Sequence, residues 1–260
     1  MAGRRGDEVI ALATSQEWST LSPDDAPLVP ELKRIGLDAR PVVWSDASVD
    51  WRTFDLVVIR SCWDYHLRVG EFSAWIDRLV RDGVPVFNPP AVLRWNMHKS
   101  YLLDLAAKGV RIPRTRFERD VIVKPAVSAS AHQTHLLRGD VIVQEFVHEI
   151  VDDGEWSLVF LDRRFSHAVK KSPKSGDFRV QEEHGGSSVP MTASRTMIDE
   201  AARILSHVEG DLLYARVDVV DRPAGVTLME LELIEPWLYL TSESAAMRRF
   251  AGAIAARRRA

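Results

Sequence analysis

The chain has 260 residues, 46% of them hydrophobic, and its 34 basic and 37 acidic side chains give a formal net charge of −3. This length allows one large domain or two modest ones, and the balanced charge lacks the basic surface that a nucleic-acid partner requires. Because no apolar run reaches ~18 residues and Cys62 is the single cysteine, we expect a cytoplasmic protein with no membrane partner and no internal disulfide.

Residues 1–90 alternate short apolar runs with amphipathic patterns. These predict strands at residues 9–13, 39–44, 56–60 and 84–87 and helices at 26–35 and 72–82. Strands that are apolar along their whole length are typical of a parallel sheet covered by helices on both faces. We therefore predict an α/β, Rossmann-like amino-terminal domain over residues 1–90.

The end of the third predicted strand carries a candidate substrate loop. No G-x-G-x-x-G segment follows the first strand, which argues against a nicotinamide-dependent dehydrogenase. In parallel sheets, ligands lie beyond the carboxyl ends of the strands, where Ser61, Trp63 and Asp64 are placed. The alternative is that Trp63 and Tyr65 only pack on a neighbouring helix, and the sequence does not decide between the two.

The pattern of predicted helices and strands changes after Asn88-Pro89-Pro90. A helix is predicted over residues 91–108, and later strands are predicted at 121–124, 140–146, 156–161, 165–170, 213–220 and 226–233, with one helix at 193–208. We predict a second, α+β domain over residues 91–260, in which antiparallel sheet surrounds the functional site.

Acidic residues are concentrated in the last predicted hairpin. Side chains alternate along a strand, so Glu230 and Glu232 share one face, and Asp218 on the preceding strand can face them. Neighbouring carboxylates repel one another unless a positive group compensates them. Mg²⁺ suits this role because it binds one or two carboxylates together with substrate phosphates. The alternative is a solvated acidic face on an ordinary hairpin.

This hairpin resembles the metal-binding segment of the ATP-grasp superfamily, in which an aspartate, a glutamate and usually a Glu-x-Asn end hold two Mg²⁺ ions. Glu232 stands where asparagine is commoner, which keeps an oxygen ligand and adds a negative charge. The resemblance implies an ATP-grasp domain around the nucleotide site. It also implies ATP and two Mg²⁺ ions, with Mn²⁺ able to substitute, held by Asp218, Glu230 and Glu232.

Further segments match the family in the same order along the chain. Lys99 and Lys124 resemble the lysines that contact the ATP phosphates, and a lysine is a compact charge suited to phosphate oxygens. The small-residue run 126–131, which includes Ser130, can close over the phosphates with backbone N–H groups or serve as a plain flexible loop.

The adenine-binding hinge of the family has a counterpart beyond this loop. The segment that resembles it consists of Gln144, Glu145, Phe146 and Val147. Glu155 lies where a ribose contact is common. Between Lys124 and Gln144 there is no room for the usual extra strands and helix of the ATP lid, so we expect a small lid subdomain at about 114–150 unless residues are missing from the chain.

Another segment resembles the glutathione synthetase-like branch, in which an arginine precedes a glycine pair. Arg179 matches the arginine, and Gly185 and Gly186 match the pair on the substrate side. An acyl phosphate and the adduct that follows it carry developing negative charge, so a preorganised Arg179 would lower the barrier. Lys170 and its neighbour Lys171 are further candidates for contact with the transferred phosphate or the substrate carboxylate.

The resemblance implies an ATP-dependent ligase of a small-molecule carboxylate and an amine, hydroxylamine or thiol nucleophile, acting through an acyl phosphate. The segments Ser61–Tyr65 and Glu230–Pro236 are similar to the cyclo-ligase family of cycloserine biosynthesis, which implies that both groups can belong to one amino-acid-like molecule. Related enzymes are often homodimers. A small-molecule kinase and a non-catalytic ATP-binding protein would use the same nucleotide site and stay open as alternatives.

Overall fold

The computed structural model describes residues 9–126, 134–174, 176–177, 179–180 and 185–257. These residues form a four-stranded sheet, a five-stranded sheet and a separate two-stranded sheet. The first is parallel and the other two are antiparallel, which confirms the predicted fold class. Within the described ranges, no helix is long and apolar enough to cross a membrane.

The parallel sheet is built from the apolar runs at the start of the chain. Its strands have the order β2-β1-β3-β4, with bounds β1 (Val9–Thr14), β2 (Asp38–Val43), β3 (Leu56–Ile59) and β4 (Val86–Phe87). The connecting helices are α1 (Leu28–Arg34) and α2 (Val69–Arg81), and short 3₁₀ helices lie at Trp51–Thr53 and Tyr65–Leu67. The elements predicted for residues 1–90 are thus confirmed, with boundaries shifted by a few residues.

Successive side chains of β1 belong in turn to two core clusters, one on each face of the sheet. Ile10 and Leu12 pack on one face with residues of α1, and Ala11 and Ala13 pack on the other with residues of α2. Since successive side chains of a strand point to opposite faces, a strand that is covered on both faces must be apolar throughout.

The prediction of one continuous helix over residues 91–108 is wrong. The structure forms two helices, α3 (Pro90–Asn96) and α4 (Tyr101–Ala107), separated by a turn. In that turn the backbone N–H of Ser100 donates to Nδ1 of His98 (3.3 Å). The apolar spacing continues through the break, so periodicity alone did not reveal it.

The two-stranded sheet consists of β5 (Thr115–Val123) and β6 (His135–Gln144). It is longer than the strands predicted there, and apolar side chains such as Ile122 (63% exposed) and Leu136 (51% exposed) face solvent. A short helix, α5 (Glu149–Asp152), follows. The two strands lie within the region predicted for the lid, at about 114–150, and α5 extends two residues beyond it.

The five-stranded sheet has the order β11-β10-β7-β8-β9. Its strands are β7 (Glu155–Leu161), β8 (Arg164–Ser172), β9 (Ser187–Pro190), β10 (Tyr214–Val220) and β11 (Thr227–Glu232). Helix α6 (Arg195–Ser206) begins at Ser194, whose Oγ accepts the N–H of Met197 (3.2 Å). Neither the short, largely exposed β9 nor the helix α7 (Ala246–Ala255) was predicted.

Tyr214 joins the two larger sheets. Its buried hydroxyl donates towards the carbonyl oxygens of Ile59 (2.9 Å) at the end of β3 and Ile234 (2.7 Å) after β11. The same core cluster contains Ile10 from the parallel sheet and Val159 from the antiparallel sheet. The carboxyl end of β3 is therefore held against the residues that follow β11.

Candidate active site

A cavity of about 740 Å³ lies between the carboxyl edge of the parallel sheet and the open face of the antiparallel sheet. Its lining is divided between carboxylates, basic groups and aromatic rings. The charged and aromatic side chains of the lining are Glu17, Trp18, Trp63, Tyr65, Lys99, Tyr101, Glu155, Lys171, Arg216, Asp218, Glu230, Glu232, Glu235, Trp237 and Tyr239.

The acidic hairpin has the predicted arrangement. Strands β10 and β11 pair Asp218 with Glu230 and Arg216 with Glu232, and a register shift follows directly after Asp218. All four of these side chains line the cavity. The prediction that the three carboxylates share one face is therefore confirmed, and Arg216 lies among them.

Asp218 is saturated by protein donors. Its Oδ1 accepts from Ser157 Oγ (2.7 Å) and Arg216 Nε (3.0 Å), and its Oδ2 accepts from Lys171 Nζ (2.9 Å) and Arg216 Nη2 (2.9 Å). Burial opposes ionisation, but Arg216 and Lys171 outweigh it and hold the pKa of Asp218 below its usual range. Asp218 is therefore a buried anion between two cations.

Lys171 also pairs with Glu155, the residue predicted at a ribose contact. Burial disfavours the ammonium, yet attraction to Asp218 and Glu155 raises the pKa of Lys171. Burial raises the pKa of Glu155, so Asp218 is the firmer anionic partner. Gly154, at φ +83°, permits the close approach of the two strands beside the Glu155–Lys171 pair. A Cβ at this position would clash with the carbonyl oxygen of Lys171.

Glu230 and Glu232 are paired less completely. Lys99 contacts Oε1 of Glu230, and Arg216 contacts Oε1 of Glu232. In the described part of the chain, the second oxygen of each carboxylate accepts no hydrogen bond. Burial raises the pKa of Glu232 to about 7, with Arg216 opposing this and Glu230 adding to it.

The cations that compensate these carboxylates come from the protein, whereas the sequence pointed to magnesium. Among the described residues, no group of three or more His, Cys, Asp or Glu side chains is arranged to hold a metal. The free oxygens of Glu230 and Glu232 still fit a hard cation that takes its remaining ligands from phosphate. Asp218 would first have to exchange Lys171 or Arg216 for a metal ion.

Helices α3 and α4 fix the edge strand β11. The Asn96 side chain donates to the carbonyl of Leu231 (2.8 Å) and accepts the N–H of Leu233 (2.9 Å). These two hydrogen bonds hold the backbone on either side of Glu232. The N–H of Leu231 donates to the Tyr101 hydroxyl (2.9 Å). An edge strand has unpaired backbone groups, and these side chains satisfy them. The turn between the two helices also brings Lys99 to Glu230.

An aromatic wall, defined here as Trp18, Trp63 and Trp237, borders the cavity on the side of the parallel sheet. Trp63 stacks on Trp237 (centroids 5.4 Å apart) and meets Trp18 edge-on (5.3 Å). Trp63 Nε1 donates to the carbonyl of Glu235 (2.9 Å). Burial raises the pKa of Glu235 to about 8, and the nearby Glu232 adds to this effect.

The other residues of the predicted substrate loop lie behind the aromatic wall and make hydrogen bonds there. Ser61 Oγ donates to Asp25 (2.8 Å), which also binds Nε of the buried Arg60 (2.8 Å). Arg60 in turn donates to the carbonyl of Pro236 (2.9 Å). Asp64 accepts from Trp44 Nε1 (2.8 Å). Of the three residues predicted to contact substrate here, the structure brings Trp63 to the cavity and leaves Ser61 and Asp64 behind it.

The residues predicted to hold adenine lie at the end of β6, away from the cavity lining. Glu145 pairs with Arg222 (2.9 Å), and its N–H donates to the carbonyl of Arg114 (3.0 Å). Gln144 donates to Thr115 Oγ1 (3.0 Å). Phe146 is half exposed and meets the His148 ring (4.8 Å), and Val147 is buried. Lys124 is exposed, and Ser130 lies outside the described residues. Their nucleotide contacts stay predictions.

The structure does not bring Arg179 or Lys170 to the cavity lining. Arg179 is exposed and pairs with Asp177 (2.7 Å). Lys170 points to the opposite face of β8 from Lys171, with its Nζ 5.5 Å from the Trp156 ring centre. Gly185 (φ +83°) and Gly186 precede β9.

Several residues of the site carried no assigned role in the sequence. Arg216 stands two positions before Asp218, and that i, i+2 spacing on a strand was the available signal. Lys171, by contrast, was a candidate together with Lys170 for contact with the transferred phosphate or the substrate carboxylate. Glu235, Trp237 and Asn96 gave no local signal, because their roles depend on contacts with distant parts of the chain.

Comparisons with known proteins agree with this geometry. Residues 10–88 match the family described as the N-terminal domain of D-cycloserine synthetase DcsG. The cycloserine biosynthesis protein DcsG of Streptomyces lavendulae is 29% identical over 300 aligned positions, covering 96% of this chain and 98% of that protein. The crystal structure of D-cycloserine synthetase DcsG has a TM-score of 0.80 at 27% identity, with 96% and 99% of the two chains covered.

More distant solved structures share the fold. The D-alanine–D-alanine ligase of Bacillus anthracis, complexed with ATP, has a TM-score of 0.66 at 11% identity and covers 96% of both chains. The ATP-grasp ligase PsnB, complexed with minimal precursor, Mg and ADP, has a TM-score of 0.61 at 14% identity, with 98% and 99% covered. These comparisons confirm the predicted resemblance to ATP-grasp ligases.

Proposed function

We propose that this chain, a homologue of DcsG with the ATP-grasp fold, is a magnesium- and ATP-dependent ligase that closes a ring within one amino-acid-like substrate. The observation that carries the proposal is the clustering of Lys171, Arg216 and Lys99 with the carboxylates of the β10–β11 hairpin in one cavity. Ligases of this class bind an anionic substrate and a polyphosphate next to a hard cation. The basic groups of the lining suit the two anions, and its carboxylates suit the cation.

Magnesium would be held by Glu230 and Glu232, and when bound it neutralises phosphate charge in the phosphoryl transfer. Lys99 pairs with Glu230 in this structure and would turn to the ATP phosphates. Mn²⁺ would occupy the same oxygen ligands. Lys124 and the segment from Gln144 to Val147 would complete the nucleotide site.

Arg216 and Lys171 would bind the substrate carboxylate. In the reaction, a carboxylate oxygen attacks the γ-phosphorus of ATP, the bond to the bridging oxygen breaks, and ADP leaves. The nucleophile then attacks the acyl carbon and phosphate leaves. Charge grows on the acyl oxygen in that step, so the fixed guanidinium of Arg216 would stabilise it. Arg179 and the pair Gly185-Gly186 are proposed to approach from the β8–β9 connection.

Two other functions would use the same nucleotide site. A small-molecule kinase would transfer phosphate without forming a new acyl bond, and a non-catalytic ATP-binding protein would not turn over. The buried position of Arg216 and Lys171 favours a ligase, because both cations are held where an acyl group can be stabilised. A homodimer is part of the proposal only by analogy with related ligases.

The test is calorimetry of ATP binding with and without Mg²⁺, followed by ADP release with acid and amine pairs. Wild type, Glu230→Gln and Glu243→Gln would be compared, since Glu243 is a paired surface carboxylate outside the cavity lining. We expect magnesium-dependent binding that Glu230→Gln weakens about tenfold or more and Glu243→Gln leaves unchanged.

Product analysis separates the three functions. A ligase forms ADP, phosphate and a cyclised or amide product, and a kinase forms a stable phosphorylated product. ATP binding without turnover on any substrate would leave the non-catalytic function. If none of the three proteins bound ATP, the proposal would be abandoned.

A further inference from the structure

The aromatic wall and Glu235 have no part in the reaction proposed above, although both border the cavity. The wall supplies three indole rings, two of them stacked and one edge-on. Three tryptophans at one side of a polar cavity are unusual lining for a site that handles only phosphate and carboxylate. They indicate a subsite for a different chemical group.

Glu235 differs in its pairing from four other carboxylates that line the cavity. Asp218, Glu155, Glu230 and Glu232 each contact a lysine or arginine. Among the described residues, no lysine, arginine or histidine pairs with the Glu235 carboxylate. The Glu235 carboxyl therefore lies beside the aromatic wall without a cationic partner among these residues.

The position of Glu235 relative to the wall is fixed by hydrogen bonds rather than by chance packing. Trp63 Nε1 donates to its carbonyl (2.9 Å), and the buried Arg60 donates to the carbonyl of Pro236 (2.9 Å). Trp237 follows directly and stacks on Trp63. The backbone that carries Glu235 is thus tied to the rings of Trp63 and Trp237 by hydrogen bonds and stacking.

We propose that Glu235 and the aromatic wall form a subsite for the primary ammonium group of the substrate. An ammonium is attracted to indole rings and makes a strong, charge-assisted hydrogen bond with a carboxylate. The same cavity lining offers Arg216 and Lys171 to a carboxylate, and Arg216 Nη1 also donates to the carbonyl of Trp237 (3.1 Å). The cavity therefore selects a dipolar substrate that carries both an amino group and an acid. The proposal rests on the ligase function proposed above.

Burial supports this assignment independently of the contacts. The pKa of Glu235 is raised to about 8 because the carboxylate is removed from water. A bound ammonium would supply the missing positive charge and restore the ionised form. A neutral substrate would leave the pKa of Glu235 raised.

The experiment measures quenching of tryptophan fluorescence in the protein loaded with Mg²⁺ and a non-hydrolysable ATP analogue. The probes are two matched pairs that differ only in the amino group: D-cycloserine with isoxazolidin-3-one, and D-serine with 3-hydroxypropanoate. We expect wild type to bind at least one amino compound about tenfold more tightly than its partner. Glu235→Gln should abolish that preference and leave binding of the nucleotide analogue unchanged.

Two further variants keep the result interpretable. Trp63→Leu should also reduce the preference, because leucine keeps an apolar surface without the ring that attracts a cation. Glu243→Gln, at a surface ion pair, should retain it. Loss of nucleotide binding in wild type would count against the ligase function. Nucleotide binding with equal affinity, or no affinity, for both members of each pair would overturn the ammonium subsite alone.

Discussion

The Nζ atom of Lys171 lies 2.9 Å from Oδ2 of Asp218, and it also contacts Glu155, so one ammonium holds two buried carboxylates together. Removing one partner of such a pair leaves uncompensated buried charge. We expect Lys171→Met to lower the free energy of unfolding by about 3 kcal/mol, measured by urea denaturation. Glu155→Gln in the same chain should recover part of this loss.

Lys170→Met is the matched control, because its ammonium lies over Trp156 on the other face of β8. We expect a change below about 1 kcal/mol. ADP release should also survive in Lys170→Met and fall strongly in Lys171→Met. The reverse order of activities would return the catalytic role to Lys170, as the sequence had suggested.

The raised pKa of Glu235 predicts a defined pH dependence of stability. Its pKa rises from an ordinary 4.5 to about 8 in the folded protein, so between these values the folded state keeps a proton that the unfolded state has lost. Stability must then fall as pH rises through this window. From about pH 5 to about pH 8.5 the loss from this group should be about 2 kcal/mol, reduced from the full linkage value because the carboxylate borders an open cavity.

Denaturation of wild type and Glu235→Gln at both pH values isolates this contribution. The variant cannot ionise at this position, so its stability should fall less over the same range. Identical pH dependence in the two proteins would show that Glu235 titrates normally.

Lys99 is predicted to exchange partners when nucleotide binds. In Lys99→Met, ATP should bind about tenfold or more weakly, because a phosphate contact is lost. Magnesium alone should bind several-fold more tightly than in wild type, because Glu230 no longer has a competing cation. Isothermal calorimetry measures both affinities. Lys108→Met, whose ammonium bonds to the carbonyl of His207 (3.0 Å), is the control and should change neither.

Asn96 is predicted to set the position of the metal-side strand. Asn96→Ala leaves the carbonyl of Leu231 and the N–H of Leu233 without partners, which should lower the free energy of unfolding by about 2 to 4 kcal/mol. Magnesium-dependent ATP binding should weaken as well, since Glu232 lies between these residues. Gln144→Ala removes an exposed amide contact and should cost less than about 0.5 kcal/mol by the same denaturation measurement.

Local patterns sufficed for much of the fold. The apolar runs at 9–13 and 56–60 became central strands of the parallel sheet, and alternation placed Glu230 and Glu232 on one face opposite Asp218. The turn at 97–100 was not predictable in this way, because the apolar spacing runs through it and the partners that stabilise it come from β11.

The cations of the site were harder to assign for a related reason. Lys99 and Glu230 meet across 131 positions, and Lys171 and Asp218 across 47. No local pattern encodes such pairings. The choice between Lys170 and Lys171 depends on the phase of β8, and a shift of one residue turns every side chain to the other face.

The hydrogen bonds from Trp63 to Glu235 and from Arg60 to Pro236 also constrain how such enzymes can be recombined. The aromatic wall comes from three stretches of the chain that lie far apart, one after β1, one after β3 and one after β11. Swapping the amino-terminal half between relatives would therefore transplant only part of a binding preference. A chimera that carried Trp18, residues 60–64 and residues 235–237 together would transfer the whole preference.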